Sequence, residues 1–282
     1  MSRKRGLRRL AVLGLALALV AGALYTALAI IQRSETLVAE KCTVTVGSRT
    51  AELATDQAAN AALITAVAVR RGLPPRAASI ALATAMQESK LRNIEHGDHA
   101  GPDSRGLFQQ RPSQGWGTAE QVMDPYYSTG VFYDALVKIP GYDSLEITAA
   151  AQQVQRSAYP QAYAQHEDMG RAYASALTGE SSEALDCTLK SPEGPGDAQA
   201  VLDELNTAFG NVPATADGST IVLEASGRQA WAVAQWAVAN AKSLAVTEVR
   251  VEGRSWDRSS RDGWQVADAP SGQVTVTVAA AP

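Results

Sequence analysis

The stretch PPRAASIALATAMQESKLRNIEHGDHAGPDSRGLFQQ, Pro74–Gln110, decides how this chain is read. It opens on prolines, which suit a first helical turn. It continues as an alanine-rich helical pattern, ends that pattern on a carboxylate at Glu88, and runs through a Gly/Asp/His loop into Gly-Leu-Phe-Gln-Gln. On a helix, Ala77, Ala81, Thr84, Ala85 and Glu88 share one face. Ile80, Leu82 and Met86 make the other sides apolar as well, and a helix apolar nearly all round is a buried one. Glu88 is therefore expected at the end of a central helix, on the edge of a cleft. Desolvation there disfavours its charged form, as does the partial negative charge at a helix C-terminus. A carboxyl kept protonated towards neutral pH is what general-acid chemistry requires. The competing reading is a solvated helix end paired with Lys90 or Arg92.

Downstream stands Ser104-Arg105-Gly106-Leu107-Phe108-Gln109-Gln110. Glycine permits a close turn, Leu107 and Phe108 can anchor it, and Gln109 and Gln110 offer amide groups suited to sugar hydroxyls and N-acetyl groups. Glu88-Ser89 followed by Gly106-Leu107-Phe108-Gln109 resembles the lysozyme-like superfamily, specifically soluble-lytic-transglycosylase-type domains, over about 58–176. Chains with the Gln155-Arg156-Ser157 variant and a following Tyr159-Pro160 look similar to lysozyme-like domains of actinobacterial cell-surface and phage tail proteins. The family's Ala-Tyr-Asn-Ala-Gly-like third segment is replaced here by residues 149–157.

This resemblance implies a peptidoglycan glycan-strand-cleaving enzyme, a lytic transglycosylase or muramidase. Glu88 is its expected general acid/base. Ser89, Gly106, Leu107, Phe108, Gln109, Gln110, Trp116, Gln155, Tyr159 and Tyr163 are the expected substrate-site residues, with Tyr159 or Tyr163 hydrogen-bonded to Glu88. The usual glycosidase has two carboxyls flanking the bond, and the candidates for a second are Asp98 and Asp103. The rival reading is a non-catalytic peptidoglycan-binding or envelope scaffold protein, because a fold does not fix a function. Glu95-His96-Gly97-Asp98-His99 matches no zinc spacing and reads as a polar loop. No metal and no cofactor is expected.

Working outward, residues 10–31 carry no charge and follow Arg3, Lys4, Arg5, Arg8 and Arg9. That is long enough for a transmembrane helix, with the basic tail 1–9 inside. A cleaved signal peptide ending near Ala27-Leu28-Ala29 is the alternative. We take the signal anchor, which makes the expected location a single-pass cell-membrane protein with its later domains extracytoplasmic. Cys42 and Cys187, an even count in an oxidising compartment, suggest one disulfide. The formal net charge is −4. Residues 1–10 hold five of the 25 basic residues, the rest of the chain is the more acidic for it and carries no basic cluster, and nucleic acid is not an expected partner.

The expected organisation is a linker with a short strand over 32–55, a mainly α lysozyme-like domain over 56–178, and a Gly/Ser/Pro-rich linker over 179–197. A small α+β accessory domain over 198–282 follows, its strands marked by period-two alternation. For that last domain two partners stay open, wall polymer and an envelope protein. Its Trp231 and Trp236 read as core, and Trp256 and Trp264 as a binding platform beside a charged turn.

Overall fold

The computed structural model describes residues 14–26, 38–99, 101–157, 159 and 161–281. They belong to two compact units, Met1–Ala39 and Glu40–Pro282. In the first, residues 14–26 form a helix, α1. Among the described residues no helix is long and apolar enough to cross a membrane. The single transmembrane helix expected over 10–31, and the single-pass membrane location derived from it, are therefore not supported. The basic tail 1–9 and the remainder of the apolar run lie outside the described residues.

The second unit is α+β rather than mainly α. It opens with β1 (Lys41–Val46) and β2 (Arg49–Leu53), joined at Gly47, whose φ of 59° turns the hairpin. Helices α2 (Thr55–Arg70), α3 (Pro75–Ser89), α4 (Ala119–Met123), α5 (Pro125–Leu136), α6 (Ile147–Gln155) and α7 (Glu167–Leu177) follow. The reach-back of Gln57, whose Oε1 accepts from the Ala54 N–H at 2.9 Å, starts α2. Asp124 separates α4 from α5 by accepting from the N–H groups of Tyr126 and Tyr127 at 2.8 and 3.3 Å, as a helix N-cap does.

The stretch read as a second linker carries β3 (Leu185–Thr188), which pairs antiparallel with β1 to complete a three-stranded sheet of order β2-β1-β3. Cys42 and Cys187 face each other in that register and form the expected disulfide, across 145 residues of chain. The bond closes the helical region at its base, and Tyr173 of α7 donates to the Cys42 carbonyl at 2.9 Å.

Helix α8 (Ala198–Phe209), β4 (Ala214–Asp217), β5 (Thr220–Glu224), α9 (Gly227–Ala239), β6 (Val246–Val251), β7 (Arg254–Asp257), β8 (Gln265–Val266) and β9 (Gln273–Val278) complete the chain. The strands form one antiparallel sheet of order β4-β5-β9-β6-β7-β8. Trp231 and Trp236 are buried, as expected. Trp256 and Trp264 are buried too, at 1% and 8% exposure, and do not form a platform. Their indole N–H groups donate to Asp186 Oδ1 and to the Leu185 carbonyl, each at 2.8 Å, so they fasten β3 to the second sheet.

Gln235 makes the corresponding lock from α9. Its side chain is fully buried. Its oxygen accepts from the N–H groups of Ala184 and Leu185 at 3.0 and 2.9 Å. Its amide nitrogen donates to the carbonyls of Ala176 and Ser181 at 2.7 and 2.9 Å. One side chain thus satisfies four backbone groups where the helical region turns into β3. Because each buried polar group left unmade costs about 1–3 kcal/mol, Gln235→Ala is expected to lower the unfolding free energy by about 3 kcal/mol or more in urea denaturation. A loss below about 1 kcal/mol contradicts the lock.

Candidate active site

Helix α3 is buried along almost its whole length, from Ala77 to Ala85. Its small residues allow a close crossing by α7. A Cβ built on Gly170 of α7 would lie 2.7 Å from the Ser79 carbonyl oxygen and 3.5 Å from the Ala83 Cβ, so only glycine permits this approach. The helix stops because Lys90 and Leu91 both take left-handed backbone, φ 57° and 55°. Their N–H groups bond to the carbonyls of Met86 and Ala85, each at 3.1 Å. Leu91 is fully buried and anchors the reversal.

Glu88 sits at this stop, half-buried, with Tyr163 Oη donating to its Oε1 at 2.7 Å. Burial raises its pKa above the ordinary carboxylate value. Hydrogen bonds from Tyr163 and Gln155 oppose that shift, and the negative charge of Asp98 adds to it. Tyr163 is fully buried, and its phenol is pushed well up by burial and by the adjacent carboxylate, so it acts as a permanent donor. Tyr163 precedes the 3₁₀ turn Ala164–His166 that leads into α7. The crossing of α3 and α7 therefore also sets the contact between Tyr163 and Glu88.

Ser89 holds the second motif against the first. Its hydroxyl is within hydrogen-bonding distance of the Leu107 carbonyl at 2.7 Å and of the Ala85 carbonyl at 3.1 Å. Arg105 and Gln110 exchange backbone hydrogen bonds at 3.0 Å each, folding Gly106–Gln109 into a tight turn. Gly106 is required there. It has φ 77°, and a Cβ would lie 2.2 Å from the Val122 carbonyl oxygen. Leu107 and Phe108 are fully buried, with Phe108 stacked on Phe132 at 4.4 Å between ring centroids. The Gln110 side chain donates to the Ser128 carbonyl at 2.9 Å.

A cavity of about 450 Å³ opens beside Glu88. Of the residues expected to form the site, Gln109, Gln110, Trp116 and Gln155 line it with Glu88. Gln155 Nε2 also donates to the Phe108 carbonyl at 2.8 Å, tying α6 to the turn. Ser89, Gly106, Leu107 and Phe108 build the wall from behind, and Tyr163 touches Glu88 rather than the cavity. Tyr159 is 76% exposed and is not among the lining residues. Its backbone N–H bonds to Ser157 Oγ at 3.1 Å.

The remaining wall comes from the loop after Glu88 and the end of α6: His96, Gly97, Asp98, Gly101, Ser104, Arg111, Arg156 and Ser157 among others. The sequence marks this loop only as polar. Its close packing is visible in hindsight in two glycines. A Cβ on Gly97 would lie 1.7 Å from the Gly101 carbonyl oxygen, and one on Gly101 would lie 2.4 Å from Ser104 Oγ. Asp98 Oδ1 accepts from the Gly101 N–H at 2.8 Å. Asp103 is engaged elsewhere: it binds Arg111 Nε at 2.9 Å and the Ser113 N–H at 3.0 Å, and the hydrogen bonds of Ser113 hold its carboxyl well below the usual range. Among the described residues no group of His, Cys, Asp and Glu side chains has the arrangement of a metal site.

The chain matches no protein-family model and no curated protein at a significant level.

The two neighbours of Glu88 act in opposite senses, which a carboxyl-carbon NMR titration resolves. Tyr163→Phe removes a donor that favours the charged form and should move the Glu88 pKa further up. Asp98→Asn removes a like charge and should move it down. Shifts of the same sign in both variants contradict this arrangement.

Proposed function

We propose that the protein cleaves the glycan strands of peptidoglycan, with Glu88 as general acid and then base. The observation that carries this reading is a carboxyl with a raised pKa, half-buried at a helix end, hydrogen-bonded by Tyr163 and open to a cavity lined by amides and an indole. Burial keeps the proton on Glu88 into the range where it can be delivered to a glycosidic oxygen. Tyr163 fixes the carboxyl and lowers the cost of its charge once the proton has left. In the lytic-transglycosylase-type reaction that the motifs imply, the substrate's 2-acetamido group stabilises the cationic centre. Glu88 then removes a proton from the C6 hydroxyl, closing a 1,6-anhydro ring. Water attacking instead gives a reducing end.

Gln109, Gln155 and Trp116 line this cavity, residue types suited to hydroxyls, acetamides and sugar rings. The disulfide fits an oxidising, extracytoplasmic compartment, where such a substrate is found. The second reading, a glycan-binding scaffold, draws on the replaced third motif, since residues 149–157 carry no Tyr-Asn pair.

The test is digestion of purified peptidoglycan, with muropeptides identified by mass spectrometry. Glu88→Gln should lose about 10²–10⁴-fold of the release, the usual contribution of a positioned acid/base. The wild-type rate should fall as pH rises through the raised Glu88 pKa, because the acid must start protonated. No release by a folded protein that still sediments with peptidoglycan would replace this reading by the scaffold one.

A further inference from the structure

A second cavity, of about 280 Å³, lies outside the Glu88 site, where β2, α3 and α7 meet. Three arginines line it, one from each element: Arg49, Arg76 and Arg171. Val46, Pro75 and Ala172 supply apolar wall. Two carboxylates serve the three cations. Arg49 Nε binds Asp168 Oδ1 at 2.7 Å. Glu167 Oε1 takes both Arg171, at 2.6 Å, and Arg76, at 3.5 Å. Arg76 also donates to the Leu145 carbonyl at 2.6 Å, and its side chain is only 14% exposed.

This leaves one positive charge in excess, in a chain whose formal net charge is −4. It also leaves guanidinium N–H groups beyond those engaged, since each arginine carries five. The first turn of α3 borders the same space. That helix has no side-chain N-cap and no acidic residue in its first turn, so its positive end is met by no carboxylate of its own. A planar carboxylate is satisfied by one or two guanidinium forks. Three forks arriving from separate elements match the several oxygens of a tetrahedral anion.

We propose that the cavity between Arg49, Arg76 and Arg171 is a binding site for a phosphate group, free or as the head of a phosphorylated ligand. The site is independent of the reaction at Glu88. Partial pairing with Glu167 and Asp168 keeps the arginines extended when the site is empty and weakens the binding, so the affinity for inorganic phosphate is expected to be millimolar.

The test uses the full chain. Inorganic phosphate is titrated by calorimetry and by thermal unfolding, against chloride at equal ionic strength. Saturable binding with a rise in Tm is expected. Arg171→Gln, at a side chain 43% exposed, should fold normally and weaken phosphate at least about tenfold, as loss of a charge-assisted hydrogen bond does. Arg76→Lys, which keeps the charge and loses the fork, should weaken it similarly. Glycerol phosphate binding more tightly than inorganic phosphate would identify a soluble phosphoester as the ligand. Retention on phosphatidylglycerol vesicles over phosphatidylcholine vesicles, lost in Arg171→Gln, would identify a lipid headgroup. A response no greater than that to chloride, or equal in wild type and Arg171→Gln, overturns the proposal.

Discussion

The close crossing of α3 and α7 is the constraint on which the rest of the molecule depends. Alanines along α3 and Gly170 on α7 let two backbones approach to a distance that larger side chains forbid. That approach excludes water from α3 as far as its last turn. It therefore places Glu88 where its charge is poorly solvated, and it carries Tyr163, just before α7, onto the same carboxyl. The site is a by-product of how tightly two helices pack, with the polar contacts of Tyr163 and Gln155 where the packing ends.

The two sheets make that packing durable. The disulfide between β1 and β3 and the buried amide of Gln235 both act at the base of the helical region. Trp256 and Trp264 extend the tie by using their polar edges on Asp186 and Leu185. A tryptophan buried with its N–H satisfied contributes area and direction together. In this chain the residues most suggestive of a binding platform are instead fastenings between two parts of one unit.

What the sequence made legible was local. The run from Ala77 to Glu88 announces a buried helix by composition alone, and the alternation in 246–251 and 272–278 announces strands. Tyr163 was among the residues expected beside Glu88, through resemblance rather than pattern. What stayed hidden was non-local. β3 is four residues in a stretch rich in Gly, Ser and Pro, and only its partner β1, far away in the chain, makes it a strand. Contributions to a cavity from a loop such as 96–104 leave no periodicity at all. Ser89, Leu107 and Phe108 were expected at the substrate site, yet their side chains build the fold behind the cavity. A motif shows that positions matter without showing which of them face a ligand. The membrane expectation rested on an uncharged run and its basic flank, and among the described residues no helix is long and apolar enough to cross a membrane.

The central claim is that packing forces Glu88 into an environment that disfavours its charge, and stability against pH tests it most directly. A carboxyl whose pKa is raised by folding holds more protons in the folded chain than in the unfolded one, between the two pKa values. Stability must then fall as pH rises through that window. The measurement is the unfolding free energy of wild type and Glu88→Gln from about pH 3.5 to pH 8, glutamine keeping the shape and an acceptor for Tyr163 without the charge. The account predicts near-equal stabilities at the acid end and a growing advantage for Glu88→Gln up to neutrality. A variant that is equally or less stable at neutral pH, with no divergence on leaving acid, would contradict it.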